Sequence, residues 1–152
     1  MRMFVKRFGA LLMAALFSTG ISLSVPGTAY AAACWDRGCN GGNPQTSGCA
    51  ATGITVLTAP VKNPQGTTWG YVDLRYSNAC GANWSRTRSG QTAYCAVGST
   101  IYNNKGDTPG PTVYQDGWTS YSTMLSGYSA LDRANGFITC DYGSAVGWAN
   151  QY

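Results

Sequence analysis

The 152-residue chain contains no histidine and no glutamate, and its six acidic residues are all aspartate. Without His there is no Ser-His-Asp or Cys-His nucleophile system and no imidazole-ligated zinc. Without Glu, acid–base work falls to aspartate alone among the carboxylates. Long apolar runs are scarce too. One extends from Phe8 to Val25, and no later stretch is apolar enough to span a bilayer. Beyond residue 31 phenylalanine nearly disappears: Phe137 stands alone against nine Tyr and five Trp. That region also lacks a helical period, an internal repeat, a low-complexity tract and an internal linker.

What is present begins with the apolar run itself. Arg2, Lys6 and Arg7 precede it, Pro26-Gly27 break it, and Ala29-Tyr30-Ala31 places small residues before a cut between Ala31 and Ala32. This is the pattern of a secretory signal peptide. Residues 1–31 are therefore read as a removed leader and 32–152 as a single secreted, extracellular domain. The leader holds three of the ten basic residues and none of the six acidic ones, so the mature domain carries +1 where the whole chain carries +4. A domain so close to neutrality has no overall field drawing it to nucleic acid or anionic lipid. It is expected to be a monomer without cofactor or metal.

All six cysteines follow the leader: Cys34, Cys39, Cys49, Cys80, Cys95 and Cys140. In an oxidising medium they should form three disulfides, and sequence alone leaves fifteen pairings open. No C-x-x-C knuckle occurs, which argues against a Cys-only zinc site. Ala31 stands where a lipobox has Leu, so Cys34 is read as half of a disulfide rather than a lipid anchor.

Turn signals recur between short β-prone runs, which points to an all-β fold, a small disulfide-stapled β-barrel or β-sandwich. Residues 32–50 read as a stapled loop. Strands are expected at Ile54–Thr58, Thr67–Tyr76, Asn83–Thr87, Thr92–Val97, Thr100–Tyr102, Thr112–Tyr114 and Trp118–Met124. In the second, Val72, Leu74 and Tyr76 face one way and Tyr71, Asp73 and Arg75 the other. Asn63–Gly66, Asn78–Gly81, Ser89-Gly90 and Asn103–Gly106 are turns, and Asp107–Pro111 is a loop. Asn135-Gly136 predicts a hairpin joining Ala130–Ala134 to Phe137–Cys140, with a short helical turn as the alternative for the first arm.

Two blocks carry a family resemblance. They are Cys39-Asn40-Gly41-Gly42-Asn43-Pro44-Gln45-Thr46-Ser47-Gly48-Cys49-Ala50 and Leu74-Arg75-Tyr76-Ser77-Asn78-Ala79-Cys80-Gly81-Ala82-Asn83-Trp84-Ser85-Arg86. The chain resembles domain of unknown function 2690, the YjfA-like secreted bacterial proteins, over residues 34–88 and onward to 140. The pattern departs at Asn43, where Asp is usual before Pro, and at Thr52-Gly53, where an Asp-Ala step is common. A ligand held by that Asp pair in relatives is not expected here. The resemblance implies a secreted protein of Gram-positive bacteria and brings no activity with it. Related domains attached outside the membrane to cytoplasmic helix-turn-helix regulators suggest ligand sensing or surface interaction rather than catalysis.

The candidate ligand-binding set is Arg75, Tyr76, Trp84, Arg86 and Arg88, on two successive strands around the Cys80 corner. Guanidinium forks pair with carboxylates or phosphates, and the rings can stack on a sugar or base. A structural assignment competes: Trp84 against the Cys80 disulfide, Tyr76 in the core, the arginines paired with Asp73 or facing water. Asp73, Asp116, Asp132 and Asp141 form the acid/base pool, in which only Asp132 and Asp141 are brought together, by the predicted hairpin. Ser77, Ser85 and Ser89 have no visible base. No catalytic constellation stands out, so the expectation is a non-enzymatic binding or interaction module for a cell-wall glycan or surface ligand. A secreted inhibitor or toxin, resting on size, disulfides and the Asn103–Pro111 loop, and an Asp-dependent hydrolase are the alternatives.

Overall fold

The computed structural model describes residues 32–91, 95–108, 110 and 112–151, so the leader and the Ala31 side of the cut lie outside the described residues. Among the described residues nine strands make one antiparallel sheet: β1 Gly53–Lys62, β2 Thr68–Ser77, β3 Ala82–Ser89, β4 Cys95–Asn103, β5 Val113–Asp116, β6 Thr119–Tyr121, β7 Leu125–Ser126, β8 Asp132–Cys140 and β9 Gly143–Asn150. Their order is β5-β4-β8-β9-β1-β2-β3-β6, with β7 also paired to β3. The fold is thus the all-β class expected, in the form of a sheet curled into a half-barrel.

The curl is local in origin. β1 carries a bulge between Thr55 and Leu57, which bends the strand. β9 and β1 share a single rung, Lys62↔Val146. They cross closely beside it, for a Cβ on Gly147 would lie 2.5 Å from the Pro60 carbonyl oxygen. The two ends of the sheet then approach each other and are tied by hydroxyl groups rather than by a ladder. Thr87 Oγ1 donates to the Gly98 carbonyl (2.8 Å), Ser85 Oγ to the Asn135 carbonyl (3.2 Å), and Ser99 Oγ to the Ser120 carbonyl (3.1 Å).

The concave side holds the main core, with Val61, Val72, Leu74, Ile101, Leu125 and Ile138 fully buried. On β2, Val72 and Leu74 are buried while Tyr71 is exposed, the alternation that the sequence predicts. A second cluster packs Trp84 and Met124 against Cys39, Cys49 and Cys80, beneath the N-terminal loop. The disulfides are Cys34–Cys39, Cys49–Cys80 and Cys95–Cys140, and no cysteine is free. Two of them fasten the loop over the second cluster; the third spans the directly paired residues 95 and 140 of β4 and β8.

Three sequence expectations change. Asn135-Gly136 is not a hairpin but the middle of β8. Asn135 is wholly buried, with Nδ2 donating to the Gly147 carbonyl (3.0 Å). Gly136 answers a need for closeness, because a Cβ there would lie 2.7 Å from Thr87 Oγ1 and 2.8 Å from Val72 Cβ. The true turn is Asp141-Tyr142, leading into β9, a strand the sequence did not suggest. β4 absorbs the separate extended segments ending at Val97 and beginning at Thr100, and the Trp118–Met124 segment divides into β6 and the entry to β7. Residues 92–94 of the expected 92–97 strand lie outside the described residues.

Candidate functional site

β2 and β3 pair so that Tyr71 faces Arg88, Asp73 faces Arg86 and Arg75 faces Trp84. By strand alternation all six lie on the convex face. Tyr76 does not. It points with Val72 and Leu74 to the other side of β2, so the structure brings together four of the five candidate residues and separates the fifth.

Asp73 is the centre of the group and is completely buried. Arg86 approaches its Oδ2 with Nε (2.8 Å) and Nη2 (2.7 Å). Arg88 takes the same carboxylate as a fork, Nε to Oδ2 and Nη2 to Oδ1, both 2.9 Å. Thr58 Oγ1 on β1 completes the shell at 2.8 Å. Burial alone would raise the Asp73 pKa, but the hydrogen bonds donated by Arg88, Thr58 and Arg86 outweigh it and hold the carboxyl below its ordinary value. Arg75 donates to Thr55 Oγ1 (2.6 Å) and to the Gly53 carbonyl, with its guanidinium 5.9 Å from the Trp84 ring centre. Burial and the neighbouring Arg86 charge lower the Arg75 pKa.

Two guanidiniums bind the one carboxylate and a third, Arg75, stands on the same face within reach of its charge, so the face carries a surplus of two positive charges. Arg88 remains 44% exposed along its side chain, and its guanidinium lies 5.8 Å from the ring centre of Tyr71, itself exposed. Trp84 is a different matter. It is 1% exposed, and its ring fills the space where a Cβ on Gly53 would sit. The sequence offered it as a stacking platform; the structure makes it core under the stapled loop. The exposed aromatic of this face is Tyr71, which alternation already marked as outward.

A second surface feature was missed. On the convex face of β4, β8 and β9, the Arg133 guanidinium lies over Tyr102 (5.4 Å) and Trp148 (5.2 Å). Farther along β8 and β9 is a shallow groove of about 380 Å³ whose lining includes Lys62, Asn63, Phe137, Thr139 and Ser144. The signal was Val146 and Trp148 alternating with Ala145, Gly147 and Ala149, small residues inward and large ones outward.

The acid/base pool does not assemble. Asp132 begins β8 and Asp141 follows its end, so nine residues of extended chain, about 30 Å, separate them. Asp73 is spent on arginines, and Asp116 is described only in its backbone. The Ser77, Ser85 and Ser89 hydroxyls are placed structurally: Ser77 Oγ meets Thr52 Oγ1 at 2.6 Å, Ser85 Oγ ties β3 to β8, and Ser89 Oγ accepts from the Gln91 N–H. The sulfurs of Cys34, Cys39, Cys49 and Cys80 lie within 4.8 Å of one another, but as two disulfides they offer no thiolate to a metal. At the family's Asp-Pro step, Asn43 Oδ1 accepts from the Gln45 N–H (2.8 Å) and caps the turn, a task either Asn or Asp performs.

The fold and this face define a disulfide-linked, all-β module with a buried Asp–Arg cluster. A family model described as protein of unknown function (DUF2690) matches residues 37–134, and the chain belongs to that family. No curated protein and no solved structure matches it significantly.

Proposed function

We propose that the protein is a non-enzymatic extracellular binding module whose ligand is anionic and docks on the convex face of β2 and β3. The observation that carries this reading is the surplus of two positive charges around buried Asp73, beside exposed Tyr71. Asp73 fixes Arg86 and Arg88 in place, so little side-chain entropy is lost when an anion is bound. Tyr71 supplies a flat surface against which a ring or sugar can pack. A cell-wall polymer bearing phosphate or carboxylate groups has the matching chemistry. Three disulfides and the absence, among the described residues, of a helix long and apolar enough to cross a membrane suit this location.

Co-sedimentation of the secreted protein with insoluble cell-wall material tests the reading, before and after anionic polymers are stripped from the wall. Saturable pelleting that weakens with stripping and with added salt is expected. Tyr71→Ala should weaken pelleting about tenfold, or ~1.4 kcal/mol, with unchanged melting temperature; Arg88→Gln should weaken it as much and also lower the melting temperature, because it strips a fork from buried Asp73. Pelleting that survives both substitutions would place the ligand on another face, and a protein that stays in the supernatant would remove the wall as partner.

A further inference from the structure

At the end of the half-barrel where β8 begins, Asp132 and Asn83 are both buried, 0% and 3% exposed. The Asn83 amide nitrogen donates to Asp132 Oδ2. The other two oxygens of the pair, Asn83 Oδ1 and Asp132 Oδ1, have no hydrogen-bond partner. Two bare buried acceptors on one hydrogen-bonded pair are costly, and a proton on Asp132 Oδ1 shared with Asn83 Oδ1 would satisfy both. The amide and the acid then form a ring of two hydrogen bonds, N–H to carbonyl in one direction and O–H to carbonyl in the other.

We propose that Asp132 is held as a neutral carboxylic acid paired face to face with the Asn83 amide, forming a pH-sensitive latch between β8 and β3. The surrounding donors are already committed. Asn103, opposite Asp132 on β4, gives its amide to Asp107 (2.8 Å) and to the Ser126 carbonyl (3.0 Å). Lys105 donates to Ser126 Oγ (3.2 Å) and the Tyr128 carbonyl and lies 4.0 Å from Asp36. Arg37 pairs with Asp107. Arg133 projects to the opposite face of β8, over Tyr102 and Trp148. Gln151, past β9, accepts only the Asp132 backbone N–H. On β2, Tyr76 stands opposite Asn83, and β7 meets Asn83 through Leu125. Burial pushes the Asp132 pKa up to about 7, with Asp107 adding to the rise and Asn83 and Lys105 opposing it.

Because the folded pKa lies above the unfolded one, the contribution to stability is complete below pH 4 and is lost as pH rises toward 7. Above that, an ionised Asp132 leaves a buried charge facing the Asn83 carbonyl oxygen, and the latch loosens.

Carboxyl-carbon magnetic resonance of the secreted protein, with residue 132 assigned in the wild type, tests the protonation directly. At pH 6 Asp132 should show the acid form. Asp132→Asn keeps both hydrogen bonds without a titrating proton. Relative to that variant, the wild-type folding constant should fall about tenfold per pH unit between pH 4 and 7. Amide exchange at residues 83 and 132–134, corrected for its intrinsic pH dependence, should accelerate from pH 6 to 8 in the wild type. An ionised Asp132 at pH 6 in the folded protein overturns the proposal even if the variant does not fold. Exchange that does not respond to pH overturns the latch.

Discussion

Asp73 shows how one side chain organises a surface. Its carboxylate receives Arg86, Arg88 and Thr58, and no solvent reaches it. Removing it leaves two guanidiniums crowded together without their counter-charge. Asp73→Ala should cost about 2–3 kcal/mol in chemical denaturation, below the range for a fully buried pair because both arginines keep contact with water. The depressed pKa of Asp73 gives the opposite pH sense to Asp132. Its contribution is present above the ordinary carboxylate value near 3.8 and is lost as pH falls further. Trp84 should behave as a core residue. Trp84→Ala is expected to lower stability by about 3–5 kcal/mol, so any accompanying loss of binding would report on the fold. The arginine–aspartate pairing and the Trp84–disulfide packing were both readable as alternatives in the sequence. Arginines close to an aspartate on adjoining strands have an obvious partner, and tryptophan beside a cysteine-rich loop has an obvious cover.

Among the elements, β8 departs most from local signals. Asn-Gly is a strong turn former, yet here it runs through the middle of a nine-residue strand. Pairing with β4 on one side and β9 on the other supplies ladder bonds for the whole length. Gly136 then serves the close packing of β2 and β3 across the concave side. Gly136→Ala should therefore destabilise by about 1–3 kcal/mol through overpacking against Thr87 and Val72, measured by thermal or denaturant unfolding. An Ala that proved neutral would mean that this part of the half-barrel is not closely packed. β9 escaped notice for a related reason. Its inward residues are Ala145, Gly147 and Ala149, the small side chains that a tightly curled sheet accommodates, so the usual large-inside alternation is reversed.

Over the whole molecule, the disulfides and the hydroxyl ties substitute for a continuous closed barrel. The intact oxidised protein should weigh about 6 Da less than its reduced form, one hydrogen for each cysteine in the three disulfides. Deleting Cys95–Cys140 as a double alanine variant should cost about 2–4 kcal/mol, since the bond links residues 45 apart in the chain. The two N-terminal disulfides act differently, fixing a turn-rich loop over Trp84 and Met124 rather than joining sheet strands. The charged face on β2 and β3 and the acid–amide pair at the start of β8 therefore sit on a scaffold braced at both ends.

The sequence by itself determined the all-β class, the alternation of β2, most turns and the participation of every cysteine in a disulfide. These follow from local preferences and from redox chemistry, which act through neighbouring residues or through composition. The family resemblance was legible in the two cysteine-containing blocks for the same reason. Tertiary structure alone decided which cysteines pair and that Asp132 lies far from Asp141, and it chose burial between the two readings of Trp84. It also turned an Asn-Gly step into mid-strand and set an amide against Asp132. The continuous β8 rests on its ladders to β4 and β9, and the Asn83–Asp132 contact on the curl that brings β3 against β4 and β8 across long stretches of chain, where burial overrides local propensity.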